Sequence, residues 1–235
     1  MDRFFGTASR EEESEWLSVS DLMAGLMVIF LFIAIVFIRP LAEQNLEIKE
    51  IARTWQENEL EIYKALLDEF EEDLPRWNAE IEKDTLLIRF KSPDVLFERG
   101  ASTIRKEFAA ILKDFFPRYV RVLEDFRESI EEVRIEGHTS SVWNRSTSEN
   151  AAYFLNMELS QSRTRAVLQN VLNLSEVRSA RAWLQPLLTA NGLSSSRLVV
   201  NKKNGKEDRE RSRRVEFRIR TTARTEIVRI LEAVR

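Results

Sequence analysis

Leu22 to Ile38 reads LMAGLMVIFLFIAIVFI, seventeen residues without a charged side chain. At about 1.5 Å of rise per residue the run makes roughly 26 Å of helix, against a bilayer core about 30 Å thick. Leu17 and Val19 extend its apolar side by a turn, Trp16 suits the headgroup boundary, and Arg39-Pro40 follows it. A buried core helix or a cleaved signal peptide are the other readings of such a run. A cleaved signal begins with basic residues and ends on small ones, whereas Asp2, Glu11, Glu12, Glu13 and Glu15 make this start acidic. The stretch therefore reads as an uncleaved membrane span over residues 16–39, behind a tail of residues 1–15. Flanking charge does not orient it: Arg3 and Arg10 precede it, and Arg39, Lys49 and Arg53 follow.

Asp21 directly precedes the run, in Leu17-Ser-Val-Ser-Asp-Leu-Met-Ala-Gly25. It has two readings. As a helix cap, its carboxylate accepts from free backbone N–H groups. Placed about one turn inside the membrane, it carries an insertion cost of up to about 2.5–3.5 kcal/mol, relieved by taking up a proton or another cation. One span forms no channel alone, so an ion-carrying role requires a partner with more helices.

Taken as a whole the chain looks ordinary: 235 residues, 43% apolar, 32% charged and a net charge of -3, which predicts no bulk attraction to nucleic acid. With no cysteine there is neither a disulfide framework nor a thiolate site, and the single histidine, His138, argues against His-rich metal centres and His-based triads. An enzyme is not expected.

From Leu41 to about Leu74 the chain is charged, with Ile48, Ile51, Trp55 and Ile62 in a 3-4 alternation, Asn58 at the next seam position, and Leu66 and Phe70 drifting to i, i+4 spacing. The pattern predicts an amphipathic helix over most of residues 40–80. It serves either a short two-stranded coiled coil or packing on its own domain. Pro75 ends or kinks it.

Beyond it, residues 81–222 read as a mixed domain. Strands are expected over Thr85–Lys91, Glu132–Glu136, Arg197–Val200 and Val215–Arg220. Helices are expected over Ser102–Phe116 with a stop at Pro117, over Tyr119–Ser129 as a continuation, and over Asn150–Leu172 and Val177–Ala190, with a last helix (Thr225–Val234) in residues 223–235. Strands alternating with helices predict a small sheet with helices on one face. The basic stretch Arg197–Arg220 is broken by Glu207, Asp208, Glu210 and Glu216, and reads as a basic hairpin loop rather than a nucleic-acid surface.

Three motifs fall in order: Ile135-Glu-Gly-His-Thr139 at a strand end, Asn156-Met-Glu-Leu-Ser160-Gln-Ser-Arg163 on a helix, and Arg213-Arg-Val-Glu-Phe217 on the last strand. Together they resemble the OmpA-like, or OmpA/MotB, peptidoglycan-binding domain. The resemblance covers about residues 85–220 and gives an α+β fold: one N-terminal transmembrane helix, a helical linker and a small mixed sheet with helices on one face. It implies that Arg163 anchors a carboxylate of the wall peptide, diaminopimelate included, through parallel hydrogen bonds. Asn156 and Leu159 then shape the pocket, with Arg214 on the adjacent strand. One departure stands out: the family's aspartate after Gly-His-Thr is Ser140 here. The amino end of a ligand then needs another residue, such as Glu149, or goes without. The long loop from Ser140 to Glu149 also carries Trp143. On its residue chemistry alone, His138 reads as a turn histidine.

A span opened by aspartate, a helical linker and such a domain resemble the B subunits of MotA/MotB-type ion-driven motors. The acidic tail and compact linker are closer to the Zorya anti-phage defence branch than to the flagellar one. The resemblance implies an inner-membrane protein with a cytoplasmic N-terminus and a periplasmic domain. It implies ion (H⁺ or Na⁺) translocation at Asp21, a dimer, and five copies of a MotA-like, here ZorA-like, multi-span partner. A flagellar-type stator subunit and a passive single-span wall tether are the alternatives.

Overall fold

A computed structural model describes residues 8–91, 96–98 and 100–223, with helix backbone alone over 8–18 and 39–52. The chain divides into two compact units, Met1–Arg53 and Thr54–Arg235. The first is helical. Helix α1 (Ala8–Phe70) starts there and continues past Pro40. Its segment Val19–Ile38, 20 residues of mean hydropathy 2.8, has no buried residue. Leu22 is 75% exposed and Phe32 69%. Aliphatic and aromatic side chains displayed all round a helix suit lipid or neighbouring apolar helices rather than water.

In the second unit the sheet has the order β1-β2-β5-β3-β4, with β1 (Ala79–Glu82), β2 (Leu87–Phe90), β3 (Ile130–His138), β4 (Leu188–Gly192) and β5 (Arg214–Thr221). β3 and β4 run parallel and the other pairs antiparallel. Alternation sorts each strand into two faces. Val133, Ile135, Val215, Phe217 and Ile219 point into the core. Glu132, Arg134, Glu136, Arg214, Glu216 and Arg218 take the opposite face, where they pair with one another.

Helix α2 (Lys106–Glu124) covers the core face. It runs through Pro117 rather than stopping there. The missing N–H forfeits one intrahelical bond, but Phe115, Phe116, Tyr119, Val120 and Leu123 are all buried around it, each buried side chain returning about 1.5–3 kcal/mol. Phe70, Trp77, Phe90, Phe108 and Phe217 complete an aromatic core with ring centroids about 5–6.5 Å apart.

The end of α1 belongs to this core: Ile62, Leu66 and Phe70 are fully buried. Asn58 donates to Ser129 Oγ at 2.6 Å, and Glu59 accepts from Thr221 Oγ1 at 2.8 Å. The stripe's later residues thus pack on their own domain, while Ile48 and Ile51 lie outside the described side chains. Arg118 of α2 fastens the end of α1, donating to the Glu69 carboxylate and carbonyl and to Asp73 at 2.5–2.7 Å, over the face of Phe70.

The expected helix over Val177–Ala190 resolves into a 3-10 turn (Ser175–Val177), a short helix α4 (Arg181–Leu184) and strand β4. Pro186 ends the helical pattern, and Leu188–Gly192 pairs with Val133–Gly137 instead. Residues 197–200 contribute only one bridge, Val200 to Glu207. The expected last helix, Thr225–Val234, lies outside the described residues.

Candidate functional site

The strand-end motif and the helix motif meet because two glycines let helix α3 (Glu149–Leu172) lie directly on the sheet. A Cβ on Gly137 would stand 2.6 Å from Thr164 Cγ2 and 3.0 Å from the Ser160 carbonyl; on Gly192 it would stand 2.2 Å from the Gln161 nitrogen. Hydrogen bonds lock the contact. Ser160 Oγ accepts from Ser194 N–H at 3.0 Å and donates to the Met157 carbonyl at 2.9 Å, and Ser194 Oγ donates to the Tyr153 carbonyl at 2.7 Å. Ser148 caps the helix, accepting from Ala151 N–H.

At this junction lies a cavity of about 230 Å³, lined by Thr139, Ser140, Asn156, Leu159 and Arg163, by Phe97, Glu98 and Gly100 opposite, and by Val142, Trp143 and Arg213. Asn156 is buried and donates through Nδ2 to the Ser140 carbonyl at 3.1 Å. Arg163, 9% exposed, donates through Nε to the Ala101 carbonyl at 2.9 Å, its guanidinium 4.9 Å from the Phe97 ring centroid. A guanidinium stacked and tethered in this way is held in one orientation at the cavity wall. The buried residue Thr139 also lines the cavity, and its Oγ1 has no hydrogen-bond partner among the described residues.

Asn156, Leu159 and Arg163 are thus brought together. Arg214 does not line this cavity: it is buried, donating to Glu216 at 2.7 Å and to the Ser212 carbonyl at 3.0 Å, and with Arg163, Phe97 and His138 it lines a neighbouring hollow of about 10 Å³. Arg213 lines the cavity in its place. Strand alternation held the signal, since Arg213 shares parity with the core-facing Val215 and Phe217. Glu149 does not line the cavity, but Glu98 does. The loop after Ser140 is pinned at both ends. Ser141 donates through N–H and Oγ to Glu207 at 2.9 and 2.5 Å, and Asn144 Oδ1 accepts from Ser146 and Thr147. Trp143 between them is 37% exposed.

His138 is the last residue of β3 rather than part of a turn, and its side chain is fully buried, with Nε2 3.4 Å from Glu216 and 3.8 Å from Glu136. Neither ring nitrogen makes an aligned hydrogen bond. Burial, reinforced by the charge of Arg214 and opposed by Glu216, lowers its pKa and keeps it neutral at pH 7. Glu136, His138 and Glu216 have the spacing of a metal ligand set. Yet Arg89, Arg134, Arg197, Arg214 and Arg218 all reach these two carboxylates within 3.7 Å. Five guanidinium charges around two carboxylates repel a further cation, so the set is an ion-pair lattice. A larger hollow of about 530 Å³ on this face is lined by Arg134, Arg197, Arg218 and Arg220, whose charges are already spent on Glu132, Glu136 and Glu216.

In the first unit, Asp21 lies within the exposed apolar segment Val19–Ile38 and is itself exposed.

Sheet, helix layer and pocket define a class, the OmpA family, whose family model matches residues 96–214. The Zorya protein ZorB of Escherichia coli, strain Crooks, is 46% identical over 99% of this chain and 100% of that protein, and the chain belongs to this ZorB family. Among solved structures, a MotB-like protein from Desulfovibrio vulgaris shares the fold at a TM-score of 0.52 and 23% identity, covering 72% of this chain and 94% of that one. The type VI secretion system cell wall anchor of Pseudomonas aeruginosa matches at a TM-score of 0.45 and 22% identity, over 66% of this chain and 96% of that one.

Proposed function

We propose that this chain is the wall-anchored B subunit of an ion-driven rotary motor in the bacterial inner membrane, acting in anti-phage defence. The observation that carries the reading is a relationship to ZorB that runs the full length of the chain, through both the apolar span and the wall-type domain. Asp21 is the ion carrier: an exposed carboxylate within a lipid-suited helix is relieved of its insertion cost by binding H⁺ or Na⁺. Two copies stand inside a ring of five MotA-like, ZorA-like subunits that complete the ion path. The N-terminus is cytoplasmic and the Thr54–Arg235 unit periplasmic. There Arg163, with Asn156 and Leu159, holds a wall carboxylate and keeps the B dimer still while the ring turns. The role is mechanical and requires no catalytic step.

Asp21→Asn tests it. The variant should co-purify with the multi-span subunit and keep its wall binding, yet lose ion-dependent protection of cells against phage. Unchanged protection, or the lack of any multi-span partner in mild detergent, would leave only a passive tether.

A further inference from the structure

Residues 202–206, at the tip of the hairpin before β5, read KKNGK, three lysines with no acid among them. Lys202, Lys203 and Lys206 are exposed and have no ion-pair partner among the described residues. The turn that presents them is fixed by its own backbone. Asn201 N–H donates to the Lys206 carbonyl at 2.8 Å, Asn201 Oδ1 accepts from Lys203 N–H at 2.9 Å, and Asn204 Oδ1 accepts from Lys206 N–H at 3.0 Å. Gly205 supplies the left-handed φ of +66° that the turn requires. Over residues 202–211 five basic residues face three acidic ones, and two of those acids are engaged away from the tip. Glu207 accepts from Ser141 N–H and Oγ, and Asp208 from Arg211 N–H at 3.1 Å.

The Glu207 contact ties this hairpin to the rim of the cavity, because Ser141 sits between Ser140 and Val142, which both line it. The hairpin stands at the end of the sheet where β3 finishes and β5 begins, His138 opposite Arg214. Helix α1 docks at the other end, Asn58 on Ser129 and Glu59 on Thr221, about 26 Å away along the strands. A basic surface on the cavity's side and remote from α1 fits the material bound there rather than a lipid surface. We propose that Lys202, Lys203 and Lys206 form a second, electrostatic wall contact outside the pocket, which takes the free carboxylates of stem peptides neighbouring the one held there. The proposal rests on the reading of the cavity as the wall site. Lysines are hydrated point charges on flexible stems and suit an array of carboxylates with no fixed geometry. Each exposed pair is worth little alone, but a peptide already seated in the cavity makes the further contacts intramolecular.

The test uses the full-length protein in nanodiscs of zwitterionic lipid and three probes: purified peptidoglycan sacculi, a soluble single stem peptide, and vesicles containing phosphatidylglycerol. The variant replaces all three lysines (Lys202→Gln, Lys203→Gln, Lys206→Gln), whose exposed side chains hold no part of the turn. At low salt it should bind sacculi roughly tenfold more weakly than wild type, the combined worth of three exposed ion pairs. At about 1 M salt, where the Debye length is about 3 Å, the two should bind sacculi alike. Both should bind the single stem peptide equally, since the pocket is untouched. Sacculus binding equal to wild type at low salt would overturn the proposal. So would lysine-dependent capture of the vesicles with no lysine dependence on sacculi, which would assign the tip to lipid. Arg163→Ala separates the two claims. It should lose the single stem peptide, and if it binds that peptide as wild type does, the pocket reading fails whatever the lysines do.

Discussion

Glu136 on β3 and Glu216 on β5 stand directly opposite each other in the sheet, each only 1% exposed. Like charges at a cross-strand position repel, so the pair persists only because guanidinium groups surround it. Burial works to raise the pKa of Glu216, but the His138 contact and the Arg214 charge outweigh it and hold the carboxyl far below the usual range. Glu132, hydrogen-bonded to Arg134 and Thr189 against the opposing effect of burial, is lowered to about 2. Both carboxylates are depressed, so their stabilisation is complete above the unfolded value of about 4.5 and is lost as pH falls through the folded values. His138 acts earlier: buried and neutral, it costs stability as pH drops below its ordinary 6.5. Melting temperature should fall in two stages on acidification, first below about pH 6.5 and then steeply below about 4.5. His138→Gln should remove the first stage alone. Glu216→Ala, which leaves Arg214 buried without its partner, should cost about 2–4 kcal/mol at pH 7, read by urea titration.

The glycine contacts give a ranked expectation. A methyl group at residue 192 meets the backbone of Gln161, which cannot move without α3, whereas at residue 137 it first meets the Thr164 methyl, a side chain. Overpacking costs about 1–3 kcal/mol. Gly192→Ala should therefore be more destabilising than Gly137→Ala, and only the latter should recover when combined with Thr164→Ser. Equal losses at both sites would mean that the helix shifts as a body and that neither glycine sets its height.

This height is what creates the pocket, and much of it was legible beforehand. The charge-free run at residues 22–38, the alternation in β3 and β5, and the long apolar-spaced helix through Arg163 each carried their own period. β4 did not, because Leu188-Thr-Ala-Asn-Gly192 is a short, half-buried edge strand with no apolar alternation, and Leu187-Leu188 continues the helical spacing of the residues before it. Pro117 signals a helix end locally, but burial of five neighbouring side chains carries α2 through it. The exchange of Arg214 for Arg213 followed from strand parity that was available but unused. Glu98 was out of reach, since only the tertiary fold brings a residue 65 positions before Arg163 to the same cavity.

Arg118 joins the last turn of α1 to α2 through three oxygen acceptors and an aromatic face. Arg118→Ala should lose about 1–3 kcal/mol. The loss should be local first, with amide exchange quickening over residues 62–74 while the β3 and β5 amides keep their protection. Uniform quickening across the domain would show instead that α1 and the sheet open as one unit.

Arg163 and Arg214 provide the sharpest separation, because the family resemblance implies a wall-ligand role for both, while the first lines the cavity beside α3 and the second pairs with Glu216. Arg163 lines the cavity, tethered to the Ala101 carbonyl and stacked on the Phe97 ring. Arg214 is committed to Glu216 and two carbonyls. Arg163→Ala should reduce retention on purified peptidoglycan by at least tenfold, the worth of a two-bond carboxylate contact, with little change in melting temperature. Arg214→Ala should do the reverse, lowering the melting temperature by several degrees while the fraction that remains folded binds the wall as before. The comparison requires both measurements on both variants, since an unfolded Arg214→Ala sample would mimic lost binding in a pull-down alone. If Arg214→Ala stays fully folded yet releases the wall, the strand face carrying the ion-pair lattice belongs to the ligand site, and the pocket described around Arg163 is only part of it.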